Sequence, residues 1–239
     1  MRGRLLVTNL RAVTAEFVGT GMLLIAVVGS GIMAQRLCGG NVGLALLANA
    51  VATGGALIAL ILAFGPVSGA HFNPVVTLAD ASRGGVAWRD VPGYLLAQFS
   101  GAIAGVAVAN LMFALPAFSA SAHTRSGAGL FASEIVATFG LLAVIWGVAK
   151  SRAGAAPYAV AAYIVGAYWF TPSTSFANPA VTLARSLTDT FAGIRPHDVL
   201  PFMLAQLIGA LLATALFAWL SPGRHVATDL LRADTTART

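Results

Sequence analysis

The chain has 239 residues, of which 58% are hydrophobic and only 9% charged, with a formal net charge of +6. Soluble domains carry about 25% charged residues, so this composition excludes an ordinary soluble protein and describes an integral membrane protein. The positive residues sit in loops and tails with no basic run, so they read as topology determinants and not as a nucleic-acid surface.

Long apolar runs fit helices of about 20 residues, and the lack of period-two alternation argues against a membrane β-barrel. Six spans are predicted, at roughly Arg11–Met33, Val42–Phe64, Val91–Leu115, Leu130–Lys150, Ala155–Pro172 and Val199–Leu220. The first apolar stretch is too long for a cleavable signal and no small-residue cleavage site follows it, so it reads as a true span. Cys38 is the only cysteine, which rules out an intramolecular disulfide. Two segments, Gly65–Arg83 and Ser173–Thr188, are too short to cross and too apolar for ordinary loops. They read as re-entrant segments, extended on the way in and half-helical on the way out.

Each re-entrant segment carries the same phrase. Asn73-Pro74-Val75-Val76-Thr77-Leu78-Ala79 returns as Asn178-Pro179-Ala180-Val181-Thr182-Leu183-Ala184. Asn-Pro is a helix start, with Asn as N-cap and Pro pre-set for the first helical position. The repeat extends to Glu16 and Glu134 and to Gln98 and Gln206, which occupy matching contexts. An odd number of spans per half makes the second copy enter from the opposite side, an inverted repeat that brings the two Asn-Pro starts together near the midplane. The positive-inside rule places both termini in the cytoplasm, with Arg36, Arg125, Arg185 and Arg195 outside.

The chemistry follows from that juxtaposition. Asn73 and Asn178 cap their half-helices through the side-chain oxygen, which leaves their NH₂ groups to donate into a cavity. Backbone carbonyls of Gly69, Ala70 and His71, and of Thr174, Ser175 and Phe176, can supply acceptors on either side. The converging helix N-termini oppose cations and hydronium. Glu16 and Glu134, charges at membrane depth, read as carboxylates that hold the re-entrant loops. The rival reading makes them the coupling groups of an ion- or proton-driven secondary transporter; a non-conducting membrane scaffold is a second rival. Asp80 is expected to pair with Arg83 or to face cytoplasmic water. No metal-ligand spacing, nucleophile–base pair or phosphate loop appears, so neither a metal, a cofactor nor an enzyme is expected.

These motifs resemble the aquaporin, or major intrinsic protein, family over about Arg11–Leu220. The resemblance implies an all-α membrane fold of six transmembrane helices and two re-entrant half-helices, assembled as a homotetramer among membrane lipid. It also implies passive conduction of water or small neutral solutes. The organisation expected is a cytoplasmic N-terminal segment (1–10), a single channel domain (11–220, repeats at about 11–115 and 130–220) and a cytoplasmic tail (221–239).

Two departures from the family pattern bear on the solute. Val75 stands where the first motif usually has Ala, and Val181 stands where most relatives have a constricting Arg. Arg185, a full turn farther toward the exit, is not an obvious substitute. The filter positions map to Thr53, to Gly166 or Ala167, to Ser175 or Phe176, and to Val181. Small residues there imply a wider pore than a water-specific aquaporin, the further alternative. The combination is similar to a bacterial glycerol-channel-like branch associated with arsenic-resistance operons, which implies an inner-membrane location. It also implies polyols and uncharged metalloid hydroxides, arsenite and antimonite, as solutes.

Overall fold

A computed structural model describes residues 2–220; the tail expected at 221–239 lies outside the described residues. The helices are α1 (Arg2–Leu37), α2 (Val42–Ser68), α3 (Pro74–Ser82), α4 (Val91–Met112), α5 (Ala128–Ser151), α6 (Ala156–Phe170), α7 (Pro179–Arg185) and α8 (Pro196–Leu220). A 3₁₀ turn, Ala153–Ala155, leads into α6, and no strand occurs among the described residues.

Five helices, α1 (from Leu10), α2, α4, α5 and α8, are long and apolar enough to cross a bilayer by themselves. The sixth, α6, has 15 residues, about 22 Å of helix at 1.5 Å per residue. It packs against α2 and α5 as the counterpart of α2 in the second repeat. The short helices α3 and α7, of 9 and 7 residues, start at the two Asn-Pro steps. The fold is therefore six transmembrane helices plus two re-entrant half-helices.

Helices α1 and α2 run beyond the sequence expectation, α1 at its far end to Leu37 instead of Met33. Helix α1 begins at Arg2 rather than Arg11, since no proline interrupts that stretch and the helix simply continues. Helix α2 runs through Pro66 to Ser68 instead of stopping at Phe64. It ends at Gly69, whose φ of +87° is the left-handed conformation that favours glycine and whose N–H reaches the Gly65 carbonyl.

Packing obeys the inverted repeat. Helix α1 packs on α4 and α2 as α5 packs on α8 and α6, and α2 meets α6 across the pseudo-two-fold. Each half-helix touches the long helices of both repeats, α3 against α4 and α8, and α7 against α8 and α4. Without a hydrophobic drive between helices in lipid, close approach depends on small residues. A Cβ on Gly101 would strike the Phe17 carbonyl oxygen, one on Gly105 the Gly21 carbonyl oxygen, and one on Gly209 the Ile135 carbonyl oxygen. Gly101 and Gly209 are repeat-related, so both α1–α4 and α5–α8 crossings are built on the same contact.

Gly101→Val should therefore cost about 1–3 kcal/mol by overpacking, read as a lower Tm of the detergent-solubilised protein. Gly55→Val should leave the Tm in place, because nothing lies within 4 Å of a Cβ built there.

Candidate functional site

The two half-helix tips are joined by a reciprocal pair of hydrogen bonds. Asn73 caps α3 by accepting from the Val75 N–H at 3.1 Å, and Asn178 caps α7 by accepting from the Ala180 and Val181 N–H groups at 3.0 and 3.2 Å. The amide nitrogens then cross over. Asn73 Nδ2 donates to the Ala177 carbonyl at 2.7 Å, and Asn178 Nδ2 donates to the Phe72 carbonyl at 2.8 Å. Each Asn thus ties its tip to the loop feeding the opposite tip. One proton of each NH₂ is used in this way, which leaves the second for the cavity that both residues line.

The loops before the tips cannot pair as helix or sheet, and within a bilayer their backbone groups need fixed partners. Glu16 and Glu134, both fully buried, provide them. Glu16 accepts from the His71 N–H at 3.0 Å, the Phe72 N–H at 2.7 Å and the Ser68 hydroxyl at 2.6 Å. Glu134 accepts from the Phe176 and Ala177 N–H groups, both at 2.9 Å. Gln98 and Gln206 brace the carboxylates. Their Nε2 groups donate to Glu16 at 2.7 Å and to Glu134 at 2.6 Å, and each also donates to a half-helix threonine, Thr77 or Thr182, at 2.8 Å. This bracing holds left-handed backbone at Ala70 and Phe72 (φ +50° and +49°) and at Thr174, Ser175 and Ala177 (φ +63°, +52° and +48°). Such conformations cost non-glycine residues of order 1–3 kcal/mol each.

A continuous cavity of about 210 Å³ runs past both tips. Its wall includes Gly69, Ala70 and His71 from the first loop, Ser175 and Phe176 from the second, and Thr53 and Val181. The hydroxyl of Ser175 is buried and has no protein partner. Pro74, Val75, Pro179 and Ala180 form the first turns of the half-helices and are buried behind this wall, and Thr174 is also outside it.

Three features differ from the sequence expectation. Gly166 and Ala167 do not line the cavity. Helix α6 presents Val160, Ile164 and Tyr168, one residue per turn, while Ala167 is fully buried in the bundle. Tyr168 brings a ring and a hydroxyl, 3.3 Å from Thr53 Oγ1, to a place expected to be empty. Arg185 does line the cavity, although it lies one turn beyond Val181. Asp80 does not pair with Arg83, whose guanidinium stacks 4.9 Å from the Trp146 ring; the Asp80 carboxylate lies 3.7 Å from His71 Nε2 and accepts from the Val86 N–H at 2.8 Å. Tyr168 had no readable phase, since α6 is apolar on all sides, and Arg185 carried no signal beyond its place on the half-helix.

The loop between α4 and α5 folds back over the second-repeat mouth. Arg125 is buried there and donates from Nε to the Gly193 carbonyl at 2.8 Å and from Nη1 to the Ser173 carbonyl at 3.2 Å. Burial pushes its pKa down to about 10, so it stays charged at neutral pH. His123, in the same loop, is pushed down by burial and by the nearby Arg125 and Arg185, and so is held neutral.

The family model of the major intrinsic proteins matches residues 5–172. The aquaglyceroporin AqpS of Rhizobium meliloti (strain 1021) is 52% identical over 217 residues, 90% of this chain and 93% of that protein. Aquaporin Z of Rhodopseudomonas palustris is 32% identical over 231 residues, 90% of this chain and 95% of its own length. The X-ray structure of the aquaglyceroporin from Plasmodium falciparum superposes with a TM-score of 0.70 over 87% of this chain and 95% of that one, at 22% identity, a likeness of fold. With paired half-helix tips, a cavity running between them and relatives matched along nearly their whole length, the chain belongs to the major intrinsic protein family, as a multi-pass membrane channel for water and small solutes and not an enzyme.

Proposed function

We propose that this channel passes glycerol-like polyols and uncharged metalloid hydroxides such as arsenite and antimonite, together with water, down their gradients. The observation that carries the reading is the character of the cavity at its second-repeat end. Val181 presents an aliphatic side chain to a cavity that Thr53 and Tyr168 also line, so part of the wall is apolar and part offers hydroxyls. A compact solute with several hydroxyls and an apolar or weakly polar centre matches both parts, whereas a strongly hydrated ion would lose its shell without replacement. The name of the similar Rhizobium meliloti protein, an aquaglyceroporin, agrees with this class.

Asn73 and Asn178 supply the central donors, and Glu16 and Glu134 hold the loops. The alternative role for the glutamates, proton coupling, is disfavoured by their bonding, since both carboxylates are fully buried and committed to backbone N–H groups and a glutamine. We infer a homotetramer in a bacterial inner membrane, with both termini and the His71–Asp80 mouth cytoplasmic and the Arg125–Arg185 mouth outside. The arginine bias across the loops and the bacterial relatives support this placement.

Proteoliposomes test the solute class. Glycerol and arsenite should enter passively, with rates that do not depend on an imposed proton or sodium gradient. Uptake that requires such a gradient, with no passive leak, would establish the coupled transporter instead. Glu134→Gln should leave gradient-independence intact. It should also lower the Tm, because the amide NH₂ then confronts one of the Phe176 and Ala177 N–H donors, which sit on different carboxylate oxygens, at a cost of about 1–3 kcal/mol. Val181→Arg should reduce glycerol flux more than water flux, since a guanidinium fills the apolar wall; equal losses would remove Val181 from the filter.

A further inference from the structure

The two mouths of the cavity are built from the same positions with opposite chemistry. His71 and Phe176 each lie two residues before their Asn, and Asp80 and Arg185 each lie seven residues after it. Helices α4 and α8 complete the match, Tyr94 and Phe202 each lying four residues before the bracing glutamine. At the first-repeat mouth the His71 and Tyr94 rings lie 5.6 Å apart, the Asp80 carboxylate faces His71, and the Tyr94 hydroxyl donates to the Ser68 carbonyl at 2.9 Å. At the second-repeat mouth the Phe176 and Phe202 rings lie 5.3 Å apart, and the Arg185 guanidinium sits 3.4 Å from the Phe176 centroid. Phe202 has no hydroxyl to hold the loop carbonyl. Arg125 does so instead, bonding Ser173 from 4.9 Å above the same Phe176 ring.

This leaves at the outer mouth a guanidinium that no carboxylate touches. Arg185 is 2% exposed, lines the cavity and is anchored through Nε to the Ala192 carbonyl. Among the described residues no ion pair joins the Arg125 or Arg185 guanidinium to a carboxylate, although the Arg125 backbone N–H donates to the Asp198 carboxylate at 2.8 Å. No hydrogen bond from the two terminal nitrogens of Arg185 to the protein is present among the described residues, and neither nitrogen is sealed from the cavity. A guanidinium fixed at one nitrogen and stacked on a ring points its remaining donors in a defined direction.

We propose that Arg185, stacked on Phe176 and backed by Arg125, is the selectivity residue of the outer mouth. It donates from its terminal nitrogens to the oxygens of a compact polyhydroxylated neutral solute and repels cations and hydronium. The guanidinium missing at 181 has in effect moved one helical turn outward, which frees the space beside Val181 for solute while keeping a fixed cation on the path. Asp80 at the matching inner position gives the cavity a positive outer and a negative inner end, so ions of either sign meet one unfavourable mouth. This assignment rests on the channel reading above.

The test compares wild type, Arg185→Ala and Arg185→Lys in proteoliposomes for water, glycerol and proton flux. Arg185→Ala should raise proton flux relative to water flux by about tenfold or more, the scale on which a focused fixed charge alters local ion concentration. Arg185→Lys should keep protons out, yet lose glycerol flux relative to water, because a point charge replaces a planar array of donors. An unchanged proton-to-water ratio in an Arg185→Ala channel that still conducts water would overturn the assignment. If Arg185→Ala does not assemble, wild type decides. Methylglyoxal, a small dicarbonyl that adds to guanidinium groups, should modify Arg185 more slowly when glycerol is present, as mapped by mass spectrometry. Modification indifferent to glycerol, or none at all in a conducting channel, would overturn the assignment too. Wild-type vesicles that pass neither water nor glycerol would instead refute the channel reading, and this proposal with it.

Discussion

The structure depends on one constraint, that backbone entering a bilayer without helix or sheet partners must find acceptors built into the protein. Here two buried carboxylates meet it. Glu16 and Glu134 stand on α1 and α5, the helices with the most extensive packing in their repeats, and each accepts two consecutive loop N–H groups. A carboxylate is suited to this work because it accepts several bonds and donates none. The glutamines on α4 and α8 then link each carboxylate to a half-helix threonine, so loop, half-helix and two spans move as one body.

Once the loops are fixed, their tips are fixed, and the crossed amide–carbonyl bonds of Asn73 and Asn178 become possible. Those bonds have two consequences. They hold two helix N-termini, each with a partial positive charge, against the same short stretch of cavity. They also leave each Asn with an amide proton to offer there. A hydroxyl oxygen can accept both in turn, whereas a cation meets only positive ends. Apart from Ala114, just past α4, the left-handed non-glycine residues among those described feed these tips, where the carboxylates over-determine the backbone. Symmetry supplies the frame, and the two mouths depart from it, with an aromatic ring and an arginine at one and an imidazole and a carboxylate at the other.

Much of this was legible in the chain. The doubled Asn-Pro phrase located the start of both half-helices, since an N-cap Asn followed by proline, repeated in two matched apolar contexts, reads as a helix start and not a turn. The matched Glu and Gln contexts placed the bracing groups, because an uncompensated carboxylate at membrane depth is too costly to be idle. Three things were not legible. The facing of α6 was ambiguous, because a helix apolar on all sides carries no phase; Gly166 and Ala167 were read as wall where Tyr168 is. The crossed asparagine bonds were out of reach, since they join residues in separate repeats with geometry fixed by every span between. The inward course of Arg185 and Arg125 depended on a loop folding over the second-repeat mouth and on the hydroxyl that Phe202 lacks, neither of which has a local signature.

The most direct test of the central claim separates the two jobs of an asparagine at the tip. In Asn178→Asp the side chain keeps its cap on α7, where a negative charge is favoured. It loses the Nδ2 donor to the Phe72 carbonyl and sets a charge beside an orphaned acceptor. Osmotic water flux through proteoliposomes, normalised to inserted protein, should fall by about tenfold or more, equivalent to ~1.4 kcal/mol, while the Tm shows the bundle still folded. Water flux equal to wild type in a folded Asn178→Asp channel would contradict the account, because the passage would then not depend on the tips being tied together.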